Sequence, residues 1–424
     1  MDFMKSLKKL LSAALAVSLL LSVSAFAVSG KEIDDVVGAI LYEATTDTIL
    51  FEKNADKHLA PASMTKVMTA ILVLEKNPTL EGDLTVAEEA VDPMVCSYME
   101  DEHLYAGEII SVEECMKYML IPSGNEGATS LACYVGGTVK DFVAMMNQKA
   151  ADLGCKDTQF RDPVGLVSGT HYTSCRDMLT ICRYAMTFDK FREIVGTLYG
   201  SVPKSNKRDI PISYSTTNRI ISPGEKEYYL RDWRTDVVGI KTGTTSAAGE
   251  CFSGCMEYNG LQFFSVCMFG RDKEMPDGKT YRGDFLDTLD LYDWARTLRL
   301  VDFTAGEILG SVAVTNGTTA TVNVTVNADS HLLLDGSTKK DALAFITLPD
   351  SVKAPVTAGD QIAILTLTDA GGTRHEIPLV AAASVASLVQ VFGLCVLVLA
   401  IVVLAAVLLL RRRKAKKSQA SPHT

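Results

Sequence analysis

The sequence predicts an α/β chain of the α+β kind: an antiparallel sheet flanked by helices, with a helical subdomain. A small all-β domain and a C-terminal transmembrane helix follow. Three observations carry this. Hairpin-like strand patterns stand at both ends of the first 300 or so residues, with helical periods between them, as expected when helices segregate from an antiparallel sheet. After about residue 302 the pattern changes to period-two alternation rich in Thr, Val and Ile. Residues 388–410 are 23 residues with no charge, enough to cross a bilayer as a helix.

Taken in order, residues 1–27 have a basic start, an apolar core and Ala25-Phe26-Ala27, and read as a signal peptide. The first domain spans 28–302. Residues 36–42 and 47–52 form a hairpin around Thr45, Thr46 and Asp47. From Ser63, the residues Met64, Val67, Met68, Ile71, Leu72 and Leu74 nearly encircle one helix, which is therefore buried. Helical periods recur at 111–121, 127–135, 138–153 and 174–187. Strands return at 235–242 and in a 251–269 hairpin, and an amphipathic helix covers 280–299. Asn259-Gly260 gives that hairpin a two-residue loop, pairing 258 with 261, 252 with 267 and 251 with 268. Residues 303–383 make the β-rich domain. Six basic residues of the 411–424 tail follow the 388–410 span, and such a flank stays in the cytoplasm.

Charge and cysteine usage narrow the function. The formal charge is −10, but the chain without its two ends carries 32 basic and 50 acidic residues, or −18. So acidic a surface argues against nucleic acid as a partner. Of ten cysteines, only Cys395 lies in the span. The hairpin register sets Cys251 and Cys255 on one face and Cys267 on the other, and Cys115, Cys133 and Cys182 fall in helical patterns as small apolar residues. Free thiols are expected, and no metal-ligand spacing appears.

The chemistry resides in three short motifs. Ser-x-x-Lys occurs four times, at Ser6/Lys9, Ser63/Lys66, Ser201/Lys204 and Ser337/Lys340, so alone it carries nothing. Ser123-Gly124-Asn125, however, is the one Ser-x-Asn, in a Pro/Gly break between helical runs, and Lys241-Thr242-Gly243 is the one Lys-Thr-Gly, ending a strand. In that order the three match the signature Ser-x-x-Lys, Ser-Asp-Asn and Lys-Thr-Gly of penicillin-binding proteins and class A β-lactamases, with Gly124 in the middle of the second motif. At a helix start, Ser63 and Lys66 share a face. A serine hydroxyl needs a base within hydrogen-bond reach, and a lysine serves only when burial or nearby positive charge lowers its pKa. The apolar helix offers burial, and Lys241 the charge. Ser123 suits proton relay, Asn125 a substrate amide, and Lys241 with Thr242 a substrate carboxylate. Gly243 leaves the strand edge open to an extended substrate. Backbone N–H groups of Ser63 and Thr244 would form the oxyanion hole. Each residue also has an ordinary reading, as a helix cap, a turn residue or a solvated strand end; it is the ordered set of three that outweighs them.

From about Val36 to Trp294 the chain resembles the low-molecular-mass penicillin-binding proteins that are serine D-alanyl-D-alanine carboxypeptidases. "AILYEATTDTILFEKNADKHLAPASMTKVMTA", "LIPSGNEGATSLA", "FVAMMNQKAADLGCKDTQFRDPVGL" with "HYTS", and "VGIKTGTTSAAGECFSG" carry the resemblance, and 303–383 is similar to that family's stalk domain. The resemblance implies a serine β-lactamase/penicillin-binding-protein-like transpeptidase fold. It also implies an exported, membrane-bound enzyme without cofactor or metal that removes the terminal D-alanine of peptidoglycan stem peptides, with β-lactams acylating Ser63. Glu126 and Gly127 stand where Asp-Ala is usual, and Asp162 where Asn is, which bears on substrate preference. The alternatives are a β-lactamase and a β-lactam-binding or wall-binding protein without turnover. No Glu-x-x-Leu-Asn stretch of the class A kind occurs, and only 14 residues follow the span.

Overall fold

The computed structural model describes residues 32–92, 103–166, 169–222, 234–276, 278–336, 339–344 and 346–419, so the signal segment expected at 1–27 lies outside the described residues. The chain divides into two compact units, meeting between Thr297 and Leu298.

The first unit is built on five strands: β1 (Val36–Glu43), β2 (Thr48–Lys53), β3 (Val237–Thr245), β4 (Gly249–Tyr258) and β5 (Leu261–Gly270). Their order is β2-β1-β5-β4-β3, every neighbour antiparallel, which leaves β3 on an open edge. The helices are α1 (Lys66–Lys76), α2 (Val112–Leu120), α3 (Asn125–Gly136), α4 (Val139–Asp152), α5 (Cys175–Ala185), α6 (Asp189–Val195) and α7 (Gly283–Ala295). The helix expected from Ser63 is buried along its length from Lys66 to Leu74. It forms the centre of one core with Ile40, Tyr42, Cys251, Cys255, Val266 and Met268 of the sheet. On the other face Phe252 meets Phe285 of α7 edge to face, and the Tyr292 hydroxyl is 2.8 Å from Ser265 Oγ. The sheet is thus covered on both faces, as its doubly apolar strands require.

Three expectations need correction. The 251–269 hairpin keeps the pairs 258–261 and 252–267, but 251–268 is lost: pairing resumes at Glu250 and Gly270. The extra residue of β5 is absorbed in a bulge where Phe269 takes φ 59°, which the alternation of apolar residues does not reveal. Cys251 and Cys255 still share the α1 face, whereas Cys267 accepts a hydrogen bond from Thr288 of α7. The helix expected over 280–299 covers 283–295, because Thr280–Arg282 pair as a strand with Asp272–Glu274. The strand expected at 235–242 runs from 237 to 245, since Gly243, Thr244 and Thr245 pair with Cys251, Glu250 and Gly249. Lys-Thr-Gly is therefore inside the strand. All nine cysteines among the described residues are free thiols.

In the second unit Leu298–Phe303 pair with Ser330–Asp335. A five-stranded sheet runs in the order Ser351–Lys353, Ile308–Thr315, Thr321–Val326, Arg374–Ala381, Gln361–Thr368. Val301, Phe303, Val324, Leu334, Leu365 and Leu379 fill its core. Single bridges tie Val385 to Val356 and Ser387 to Gly317 before the last helix, α8 (Leu388–Gln419), begins. Its membrane-length part, Leu388–Arg413, would be about 39 Å long at 1.5 Å per residue, more than the ~30 Å of a bilayer core.

Candidate active site

Ser63 is not a helix cap. It lies in a 3-10 turn, Ala62–Thr65, immediately before α1, and Lys66 is the first residue of the helix proper. The side chains meet on the expected face, with Lys66 Nζ 2.8 Å from Ser63 Oγ. The same amine lies 2.7 Å from Asn125 Oδ1, 3.4 Å from Ser123 Oγ and 3.5 Å from the Val164 carbonyl. Lys66 has no solvent exposure, while Ser63 is half-buried and open on one side. Of the other Ser-x-x-Lys matches, Ser201 and Lys204 are both exposed, and Ser6 and Ser337 lie outside the described residues.

Glycines allow this convergence. A Cβ on Gly124 would stand 2.1 Å from the Tyr118 ring of α2, so the loop can deliver Ser123 (φ 71°) and Asn125 only with glycine between them. A Cβ on Gly243 would be 2.8 Å from the Pro61 carbonyl and 3.0 Å from Ser63 N, so β3 lies hard against the serine's turn. That contact brings the Ser63 N–H beside the open edge carrying Thr244. Gly127, where alanine is usual, faces the backbone of Cys115 at 3.1 Å, so α2 and α3 cross closely there.

A loop at 162–166 closes the site from the other side. The Asp162 Oδ1 accepts N–H bonds from Val164 (2.8 Å), Leu166 (3.4 Å) and Gly165, and the Pro163 carbonyl accepts from Thr69 Oγ1 at 2.8 Å. This turn aims the Val164 carbonyl at Lys66. His171 braces it: Nε2 is 2.9 Å from Thr65 Oγ1, Nδ1 accepts the Arg161 N–H at 3.3 Å, and Nδ1 is 3.5 Å from Asp162 Oδ2. Because Nδ1 accepts the Arg161 N–H it has no proton to give Asp162, so Thr65, His171 and Asp162 do not form a catalytic triad, and Thr65 and His171 are both buried.

Lys241 is also buried, and its Nζ donates to the Thr242 carbonyl at 2.9 Å. The Thr242 hydroxyl is 2.6 Å from that of Thr217. Thr244, exposed on the edge, accepts from Arg282 Nη1 at 3.1 Å. Arg282 is held by the buried Asp284, with Nη2 2.7 Å from Oδ2, and by Glu250, across the ladder from Thr244. Arg282 and Thr217 escaped the sequence reading. The first falls within the longer helix that periodicity predicts over 280–299, and the second belongs to no motif.

Burial sets the protonation states. It pushes the Lys66 amine down to about 7, while the carboxylates of Asp162 and Glu126 pull it back up. Burial likewise holds Lys241 low, and the charges of Lys66 and Arg282 add to the effect. A proton on either lysine opposes a proton on the other. The departure at Asp162 therefore bears on the Lys66 amine as well as on the loop.

A half-open serine hydroxyl touching a buried, weakly basic amine, beside the edge of an antiparallel sheet, defines a serine hydrolase of the acyl-enzyme class. The family described as D-alanyl-D-alanine carboxypeptidase matches residues 25–272, more than half of the chain, and the chain belongs to that family. The penicillin-binding protein 5 C-terminal domain matches residues 303–387. The chain is 29% identical over 393 residues to D-alanyl-D-alanine carboxypeptidase DacF of Bacillus subtilis, covering 88% of this chain and 94% of that one. It is 26% identical over 361 residues to DacA of Escherichia coli K12, covering 82% of each. The crystal structure of the Streptomyces K15 DD-transpeptidase superposes with a TM-score of 0.54 at 25% identity, over 62% of this chain and 98% of that one. The carboxypeptidase DacD from Francisella tularensis shares the fold at a TM-score of 0.58 and 22% identity, over 87% and 99%. The protein is a serine-type D-alanyl-D-alanine carboxypeptidase of the low-molecular-mass penicillin-binding class.

The acid limb of kcat/KM reports the free enzyme's essential base. With Lys66 as that base it should fall at about pH 7. Asp162→Asn keeps the acceptor for the loop but removes a charge that favours the ammonium form. The limb should move to lower pH by about one unit. An unchanged or raised limb in a folded variant contradicts the assignment.

Proposed function

We propose that Ser63 carries the acyl-enzyme and that the substrate is a peptidoglycan stem peptide ending in D-Ala-D-Ala. The observation that carries this reading is the buried Lys66 amine, 2.8 Å from Ser63 Oγ. The peptide lies extended along the open edge of β3, with its terminal carboxylate toward Lys241, Thr242 and Arg282. Asn125 holds a substrate amide. Ser63 Oγ attacks the penultimate D-Ala carbonyl as its proton passes to Lys66 Nζ. The Ser63 and Thr244 N–H groups stabilise the oxyanion. The proton moves through Ser123 to the leaving nitrogen, the C–N bond breaks, and D-alanine departs. Water then cleaves the Ser63 ester and releases the shortened peptide. A β-lactam enters as an alternative acyl donor, its ring amide breaking in place of the peptide bond.

Ser63→Ala should abolish covalent labelling by fluorescent penicillin and D-alanine release from diacetyl-Lys-D-Ala-D-Ala. Labelling that survives the substitution would move the nucleophile elsewhere. Labelling of the wild type without D-alanine release would favour a binding protein without turnover.

The apolar α8 suits a membrane anchor, and we propose a single pass with both folded units outside the cytoplasm and the basic tail within. The second unit acts as a spacer from the membrane. Because Val385 and Ser387 are bridged to that unit, the soluble form to test comprises residues 28–387. It should stay off membranes and release D-alanine at an undiminished kcat/KM. Membrane retention after a high-salt wash, or a folded but inactive product, would contradict this arrangement.

A further inference from the structure

Thr217 belongs to none of the three motifs, yet it touches one of them and the chain that leads into another. Its backbone N–H donates to the Ile121 carbonyl at 3.2 Å, two residues before Ser123, and its hydroxyl lies 2.6 Å from that of Thr242. The segment around it is laced to β3. Asn218 Nδ2 donates to the Gly239 carbonyl at 3.1 Å, the Asn218 N–H to Thr216 Oγ1 at 3.1 Å, and the Ile220 N–H to Asn218 Oδ1 at 3.0 Å. Thr216 and Asn218 are buried, whereas Thr217 is half-buried. Its position is thus set by its neighbours, not by its own packing.

Two hydroxyls 2.6 Å apart share one hydrogen bond, in which one donates and the other accepts. If Thr242 donates to Thr217, the Thr242 oxygen turns lone pairs outward, and an anion beside it is repelled. If Thr217 donates, the Thr242 proton is freed for a third partner, and the accepted bond polarises that O–H. Only the second arrangement favours a carboxylate at the edge of β3. We propose that Thr217 is a positioning residue that holds Thr242 as a hydrogen-bond donor and so contributes to selection of peptides with a free C-terminal carboxylate. This rests on the carboxypeptidase reading above, which places that carboxylate at Thr242.

The test is a double-mutant cycle on D-alanine release from diacetyl-Lys-D-Ala-D-Ala, using Thr217→Val, Thr242→Val and the double variant. Thr217→Ser serves as the rescue, and Thr217→Ala as a second way of removing the hydroxyl. Thr217→Val and Thr217→Ala should lower kcat/KM about three- to tenfold, the range for one neutral hydrogen bond, and mainly by raising KM. The serine variant should restore it. In the Thr242→Val background, Thr217→Val should cost nothing further. Additive losses, or a serine variant as impaired as the valine one, would overturn the proposal and leave Thr217 as a brace between loop and strand. Unchanged kcat/KM in both hydroxyl-less variants would overturn it too. If the wild type released no D-alanine, the carboxypeptidase reading itself would fall, an outcome distinct from all of these.

Discussion

The amine of Lys66 is sealed from water, and the centre of the catalytic unit is organised around that constraint. An ammonium group loses its hydration there at a cost of several kcal/mol, so the site favours the neutral amine. A neutral amine has two N–H groups and one lone pair. Asn125 Oδ1 at 2.7 Å and the Val164 carbonyl at 3.5 Å are pure acceptors, so they take the N–H groups. The lone pair is left for the Ser63 hydroxyl. The same burial thus weakens the lysine as a cation and suits it to the base role proposed for it.

Meeting this constraint requires two segments distant in sequence, around Ser123 and around Val164, to approach within hydrogen-bond distance of one amine. Side chains would block that approach, which is why Gly124, Gly165 and Gly243 stand where they do. A Cβ on Gly165, which also adopts φ +93°, would lie 1.9 Å from the Ala62 carbonyl. The negative charge of Asp162 acts against the lowered pKa, but its carboxylate gathers three backbone N–H groups that shape the loop. A neutral amide could accept those bonds as well. The carboxylate therefore sets the base slightly higher than the loop geometry alone demands.

Much of this was legible in the sequence, for a physical reason. Ser63 and Lys66 must share one face of a turn, and Ser123 and Asn125 must leave one loop together, so spacing encodes both pairs. The encircling apolar residues of α1 likewise announced burial. What escaped depends on tertiary approach. Arg282 reaches Thr244 across 38 residues of chain, and Thr217 reaches Thr242 across 25, with no local pattern to mark either. The bulge at Phe269 and the start of α7 at Gly283 were hidden because apolar periodicity continues smoothly through both.

The central claim is that burial makes Lys66 a neutral base near physiological pH. The direct measurement is an NMR titration of the lysine side-chain Cε resonances in the isotope-labelled 28–387 form, with Lys66→Arg to assign the signal. Lys66 should titrate at about 7, well below the ~10.4 of a free lysine. A Lys66 signal that stays in the ammonium position up to pH 10 would contradict the account.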